Sequence, residues 1–339
     1  MLYTVVPIAL AFFWASLLLG RTFGLVDKPD ERKQHRGNVP LTGGIAIFGT
    51  IIFGSLLLSI PPYTQQMLII AAVVFAVGLY DDWSHLNAAL RLLIQYCSGV
   101  LLATYGGIVI VNAGNLLALG DIPLLMLSVP LTALSVAGLC NAYNMIDGID
   151  GLAASMIAVP LVLLYILAAS ASHPMTDSLL LILIPVALFL VFNLGPDTRW
   201  LPKMFLGDSG SITLGFLLTA SLVYFSQGEA ALILPVTALW LVTVPLMDML
   251  ATMLLRWKNG KSMMQADRSH LHHTLMDKGL SARQTLALLI AYASACALLG
   301  LALENLAESI SLLMYFMLFV GHCLFVIKSH HGVTPRGQV

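Results

Sequence analysis

Apolar runs of about twenty residues recur from one end of this chain to the other, and they decide its fold class. They fall at roughly 1–20, 41–60, 65–80, 89–106, 123–140, 152–170, 178–194, 209–227, 230–254, 285–303 and 309–327. Each is close to the ~20 residues that cross a ~30 Å hydrocarbon core, the third being short. Backbone groups in lipid must bond within the chain, so helices are the expected form. Composition agrees. Only 10% of the 339 residues are charged, against about 25% in a soluble domain. The expectation is an all-α integral membrane protein of about 11 transmembrane helices. A membrane domain covers 1–328 and a short cytoplasmic tail 329–339, with no internal repeat and no low-complexity tract. Cys97, Cys140, Cys296 and Cys323 lie in or beside apolar runs and read as small buried hydrophobes, not as a zinc site or a disulfide framework.

Positive charge orients the spans. Arg21, Lys28, Arg32, Lys33 and Arg36 follow span one, Arg91 follows span three, and Arg199 and Lys203 follow span seven. Arg256, Lys258, Lys261, Arg268, Lys278 and Arg283 follow span nine, with Lys328 and Arg336 in the tail. These are all 16 Lys and Arg of the chain, and the loops after the even-numbered spans hold none. The N-terminus is therefore expected outside and the C-terminus in the cytoplasm. The first apolar run has its first positive charge, Arg21, after it, so it reads as a spanning helix and not as a cleaved signal.

Most acids share that cytoplasmic side, which no insertion rule requires. Asp81 and Asp82 end the third span in GLYDDW; adjacent carboxylates there are either a solvated helix end or a pair relieved by a cation. NAYNMIDGIDGL (141–152) spaces Asn141, Asn144, Asp147 and Asp150 by three residues, which puts neighbours on one helical face. It is either a capped polar turn or a set of hard oxygen ligands suited to Mg²⁺. FLGDSGS (205–211) opens span eight with Asp208 as an N-cap, or as a metal ligand at an anion-binding turn. DRSHLHH (267–273) offers His270, His272 and His273, with Arg256 and Arg268 nearby. That loop is a solvated basic connector, or a grip on phosphate and sugar hydroxyls. Asp248, an acid inside span nine, requires a partner. Together these point to Mg²⁺-assisted phosphoryl transfer between a soluble nucleotide and a lipid-held acceptor.

The segments DKPDERKQHRGNVPLTGG (27–44), YDDW, NAYNMIDGIDGL, NLG (193–195), FLGDSGS, PVTALWLVTVPLMDM (235–249) and DRSHLHH resemble those of the polyprenyl-phosphate N-acetylhexosamine-1-phosphate transferases, in the larger family that includes the MraY translocase. They run in family order over nearly the whole chain. The HxHH form of the His loop resembles the WecA-like branch, which uses UDP-N-acetylglucosamine; the peptidoglycan branch has a contiguous HHH. The resemblance implies Asp208 and Asn144 as ligands of Mg²⁺ (Mn²⁺ as an alternative), and Asp81 and Asp82 as the catalytic pair. It implies Asn141, Asp147 and Asp150 as the polar loop around nucleotide and metal. His270, His272, His273, Arg256 and Arg268 would grip the sugar nucleotide, and Lys33, His35 and Arg36 would meet the lipid phosphate. The implied partners are a UDP-N-acetylhexosamine, undecaprenyl phosphate and the bilayer, with no nucleic acid. The implied place is a bacterial inner membrane, with the active site on its cytoplasmic face. Leu271 stands where relatives often have Ile, and Ser269 where some have Gln, which leaves the sugar open, a 6-deoxy-N-acetylhexosamine donor included. The rival from another class is a nucleotide-sugar transporter, which would place its site at mid-membrane between repeats.

Overall fold

With no water to bond to in lipid, the chain folds into helices almost throughout. The structure, a computed structural model, describes residues 2–27, 37–60, 64–84, 86–263 and 268–331. The first half holds α1 (Leu2–Phe23), α2 (Gly43–Leu58), α3 (Gln65–Ser84), α4 (Ala88–Thr104), α5 (Ser128–Ile146), α6 (Leu152–Ser170), α7 (Thr176–Leu194) and α8 (Gly207–Ser226). The second half holds α9 (Pro235–Leu241), α10 (Thr243–Lys258), the short α11 (Leu271–Asp277), α12 (Ala282–Ala302) and α13 (Glu308–His331). Two-residue strands β1 (Val26–Asp27) and β2 (Val39–Pro40) pair antiparallel. Among the described residues eight helices are long and apolar enough to cross a membrane, nine when the bent pair α9–α10 counts as one span. The apolar helices α2 and α4 are shorter, at 16 and 17 residues. This is an all-α, multi-pass integral membrane protein.

At the centre stands α8, buried over nearly its whole length although its sequence, GDSGSITLGFLLTASLVYFS, is rich in small and polar side chains. Small residues let neighbouring helices approach closely in lipid, and α2, α3, α5 and α6 all pack on it. Its buried hydroxyls bond back one turn: Thr213 to the Ser209 carbonyl at 2.6 Å, and Thr219 and Ser221 to those of Gly215 and Leu217 at 2.7 Å. At Gly44 a side chain would overlap the Gly210 main chain, so α2 and α8 touch backbone to backbone. The main chain before α8 is stitched to the same place, with Gly43 and Gly44 N–H donating to the Phe205 and Leu206 carbonyls, each at 2.9 Å.

The ninth apolar run, expected as one span over 230–254, is instead broken at Val242 and bent by 78°. The cause is Pro245, whose ring in a continuous helix would strike the carbonyl of Leu241, four residues back. The helix therefore ends at Leu241, and Pro245 sits in the first turn of α10. Thr243 Oγ1 donates to the freed Trp240 carbonyl at 2.8 Å.

Candidate active site

Four helices meet at the N-terminus of α8. The first N–H groups of a helix have no partner within it, and an anion placed there also meets the positive end of the helix dipole. Asp82, in the last turn of α3, fills that place: its carboxylate accepts from Asp208 N–H at 2.7 Å and Ser209 N–H at 3.0 Å. Asp208 is thus not its own helix's cap but a first-turn residue whose side chain is turned toward α5 and α4. Its Oδ1 accepts from Asn144 Nδ2 at 2.7 Å, and its Oδ2 lies 3.7 Å from Arg91 Nη1. Asn144 also reaches Ser211 Oγ at 3.2 Å. Asp81, one residue before the cap, is buried, accepts from Leu86 N–H at 2.6 Å, and is ion-paired with Arg91. Arg91 is placed by α4, whose start is fixed by Asn87, its side chain accepting from Ala89 N–H at 2.8 Å.

Asp81, Asp82, Asn144 and Asp208 line a cavity of about 1170 Å³, with Arg91 behind the carboxylates. Asp147, Asp150, Asp197 and Lys203 line it as well, and Phe189 and Phe205 give it apolar surface. Asn193, at the end of α7, donates to the Met204 carbonyl at 2.9 Å and so pins the strand of chain that leads into α8. Asp147 opens to the cavity yet is surrounded by protein; burial, then the charges of Asp208, Asp82 and Asp150, push its carboxyl up to about 8. Of the described residues that line the cavity, seven are aspartates and one, Lys203, is a basic side chain. Lys203 holds Asp150 at 2.5 Å. Such a surplus of carboxylates is costly without a cation.

The donor chemistry bears on which cation fits. Among the described residues no three His, Cys, Asp or Glu side chains form a metal shell by themselves. Mg²⁺ does not need one, because it keeps several waters and is commonly held by one or two carboxylates with substrate phosphates completing the set. An all-oxygen site around Asp208, with Asn144 beside it, fits that pattern, whereas zinc would ask for nitrogen or sulfur.

The histidines form a second cluster beside the cavity, not in its lining. Asp248 has the partner its burial demands: its Oδ2 lies 2.9 Å from His270 Nδ1, and its Oδ1 accepts from Leu271 N–H at 2.7 Å. One carboxylate thus caps α11 and fixes the His270 ring. Arg256, buried in the last turn of α10, donates to the Met263 carbonyl at 2.8 Å and approaches His270 Nε2 at 3.5 Å. His272 is 1% exposed, and among the described residues neither of its ring nitrogens has a hydrogen-bond partner. Burial, then neighbouring His273, push its imidazole down to about 3, so it is neutral. His273 is held low by burial and then by Arg268. The His272 ring lies so close to Gly148 that a methyl group there would strike Nε2. That contact joins the histidine helix to the carboxylate loop.

Asp81, Asp82, Asn144, Asp147, Asp150 and Asp208 therefore share one cavity, and His270, His272, His273 and Arg256 stand together next to it. Arg268 lies apart, exposed and 3.7 Å from Asp277. Asn141 turns away from the cavity toward the sulfurs of Met145 and Met249, at 3.0 and 3.6 Å. Lys33, His35 and Arg36 lie outside the described residues. Arg91 and Lys203 enter the site although sequence reasoning used them only to orient the loops. Their signals are a single cation in the loop after span three, and a lysine just before FLGDSGS.

The profile of glycosyl transferase family 4 matches residues 64–226, which run from the start of α3 to the end of α8 and carry all the aspartates of the cavity but Asp27. Three curated relatives share the name undecaprenyl-phosphate alpha-N-acetylglucosaminyl 1-phosphate transferase. The protein from Yersinia pestis is 32% identical over 93% of this chain and 88% of its own length. That from Escherichia coli K12 is 31% identical over 92% and 87%, and that from Haemophilus influenzae 32% over 84% and 80%. The chain belongs to glycosyl transferase family 4, in the WecA-like branch that these relatives represent.

Proposed function

We propose that this protein transfers N-acetylglucosamine 1-phosphate from UDP-N-acetylglucosamine to undecaprenyl phosphate, releasing UMP and starting a surface polysaccharide of the O-antigen type. The observation that carries the reading is the convergence of Asp208, Asn144 and Asp82, backed by Arg91, at the N-terminus of α8, beside a cavity large enough for a nucleotide sugar. A phosphate oxygen of the lipid attacks the sugar-bearing phosphorus of the donor. The bond from that phosphorus to the bridging oxygen breaks, and UMP leaves with the electron pair. The attacking phosphate, with a second pKa near ~6, is mostly dianionic at neutral pH, so no strong general base is required. Both oxygens of Asp82 already accept main-chain N–H groups, which suits it to positioning α8. Arg91, held by Asp81, brings a permanent cation to the reacting phosphates. Asp208 and Asn144 are the residues that would hold Mg²⁺ or Mn²⁺, which when bound neutralises charge on the diphosphate and the leaving UMP. His272, neutral and packed behind Gly148, is suited to holding the carboxylate loop in place against the donor.

In this reading α2 and α4 also cross the bilayer, which makes eleven spans with the N-terminus outside, the C-terminus in the cytoplasm and the cavity on the cytoplasmic face of the inner membrane. The confinement of every Lys and Arg to alternate loops supports it. The transporter reading loses ground because the polar cavity is built at helix ends and the sequence carries no internal repeat to frame a mid-membrane site. Purified protein incubated with undecaprenyl phosphate and a panel of UDP-sugars tests the function. Release of UMP is expected with UDP-N-acetylglucosamine, and is expected to stop with excess chelator and return with Mg²⁺. Release only with a 6-deoxy-N-acetylhexosamine nucleotide would change the donor, and turnover in full chelation would remove the metal role of Asp208 and Asn144.

A further inference from the structure

A second cavity, of about 460 Å³, lies on the lipid-facing side of the bundle between α11, α12 and α13. Its walls are apolar, Leu271 and Leu275 from α11, Leu288 from α12, and Met317 and Phe325 from α13 among them. It shares no lining residue with the carboxylate cavity. From Phe325 to Met317 it follows α13 for eight residues, about 12 Å at 1.5 Å per residue. That is within one leaflet, about half of a ~30 Å core. Two polar groups stand in line at one end. Lys278 lies over the Phe325 ring, 4.2 Å from its centroid, and is tied to Ser329 Oγ at 2.8 Å. Three residues before Phe325, His322 lines the cavity at 7% exposure, and among the described residues its Nε2 has no hydrogen-bond partner. A ring nitrogen left unbonded in an apolar surround is costly, so a turn of the His322 ring toward an occupant with a polar atom at that depth would be favourable.

We propose that this cleft binds an anionic phospholipid of the surrounding leaflet, its phosphate at Lys278, an ester oxygen at His322 and one acyl chain along the apolar walls. The order of the three groups down the cleft, cation then lone nitrogen then hydrocarbon wall, is the order of phosphate, ester and chain in a glycerophospholipid. The bound chain packs on Leu271 and Leu275, and so steadies the helix that carries His272. The proposal does not depend on the transferase reading, and its test needs no turnover.

Thermal melts of the purified full chain in detergent, with added dioleoyl-phosphatidylglycerol or dioleoyl-phosphatidylcholine, provide the test. Phosphatidylglycerol is expected to raise the wild-type midpoint by about 2–4 °C more than phosphatidylcholine does. Lys278→Gln, a change on the surface, should abolish that difference. Gly321→Phe should remove the response to phosphatidylglycerol by filling the cleft, because no atom lies within 4 Å of a side chain begun at Gly321. Equal responses of the wild type to the two lipids overturn the proposal, as does a wild-type response in both variants. Should Gly321→Phe fail to fold, Lys278→Gln decides alone. A third arm with farnesyl phosphate separates the sources of a lipid phosphate: a response to it that exceeds the one to phosphatidylglycerol, and that Lys278→Gln removes, gives the cleft to the acceptor and overturns the assignment.

Discussion

Asp82 does two things that a solvated carboxylate at a helix end does not: it spans two helices, and it places its charge on the N–H groups that precede and follow the Asp208 side chain. Asp82→Asn keeps the shape but leaves one of those N–H groups facing an amide NH₂. A hydrogen bond to a charged group contributes about 1.5–3 kcal/mol, so kcat should fall about ten- to a hundredfold while donor KM stays within about threefold. Steady-state kinetics on the variant reads both, and a loss confined to KM would mean that the start of α8, as Asp82 positions it, serves donor binding and not the reacting phosphates. His272 makes a different statement, about pH. Its imidazole titrates near 3 in the fold and near 6.5 when unfolded. Between those values the unfolded chain binds the extra proton, so stability is complete above pH 6.5 and declines as pH falls toward 3. His272→Gln should flatten that decline in melts taken from pH 7 to pH 4. An unchanged slope would mean that His272 is protonated in the fold. Of these two residues the sequence revealed the type and little else. That Asp82 would cap α8 depends on a contact 126 positions away, which no local spacing encodes.

At the level of elements, the site is a set of helix ends brought into register by close backbone approaches. The carboxylate loop after α5 and the histidine helix α11 meet at Gly148 and His272. Gly148→Ala puts a methyl group against the His272 ring, and α11 must shift to admit it. Donor KM is expected to rise about tenfold, a little over 1 kcal/mol, with the Mg²⁺ concentration for half-maximal rate unchanged because Asp208 and Asn144 are not moved. A matched rise in the Mg²⁺ requirement would instead show that the two clusters form one unit. How such elements read from sequence divides along a physical line. Apolar length is a local property, so the helical, multi-pass character of the chain was legible. The break at Val242 was carried by Pro245, in plain sight, but hydropathy runs unbroken across it and does not register a missing N–H. Asp248 was recognisable as an acid in need of a partner. That the partner is His270, 22 residues later, follows only from the way α10 returns beside α11.

For the molecule as a whole, the question is which end of the bundle faces which compartment. The carboxylate cavity, the histidine helix and the loop that holds Arg199 and Lys203 belong to one end, because α3, α5 and α7 run toward it and α8 starts from it. The loop between α4 and α5 belongs to the other end. It contains no Lys or Arg, and the topology proposed above therefore puts it outside. Trp200 and Leu119 are suitable reporters, being 80% and 88% exposed on loops at these opposite ends. In a background with the four native cysteines replaced, Trp200→Cys should react with a membrane-impermeant maleimide only after the cells are opened, and Leu119→Cys should react in intact cells. A UDP-sugar exists in the cytoplasm, so a cavity that faced outward would never meet the donor proposed for it. The reverse labelling pattern would accordingly overturn both the topology and the transferase reading. Labelling of both positions in intact cells would mean that the number of spans from α5 to α7 is not odd, and α5, α6 or α7 would then have to be re-entrant.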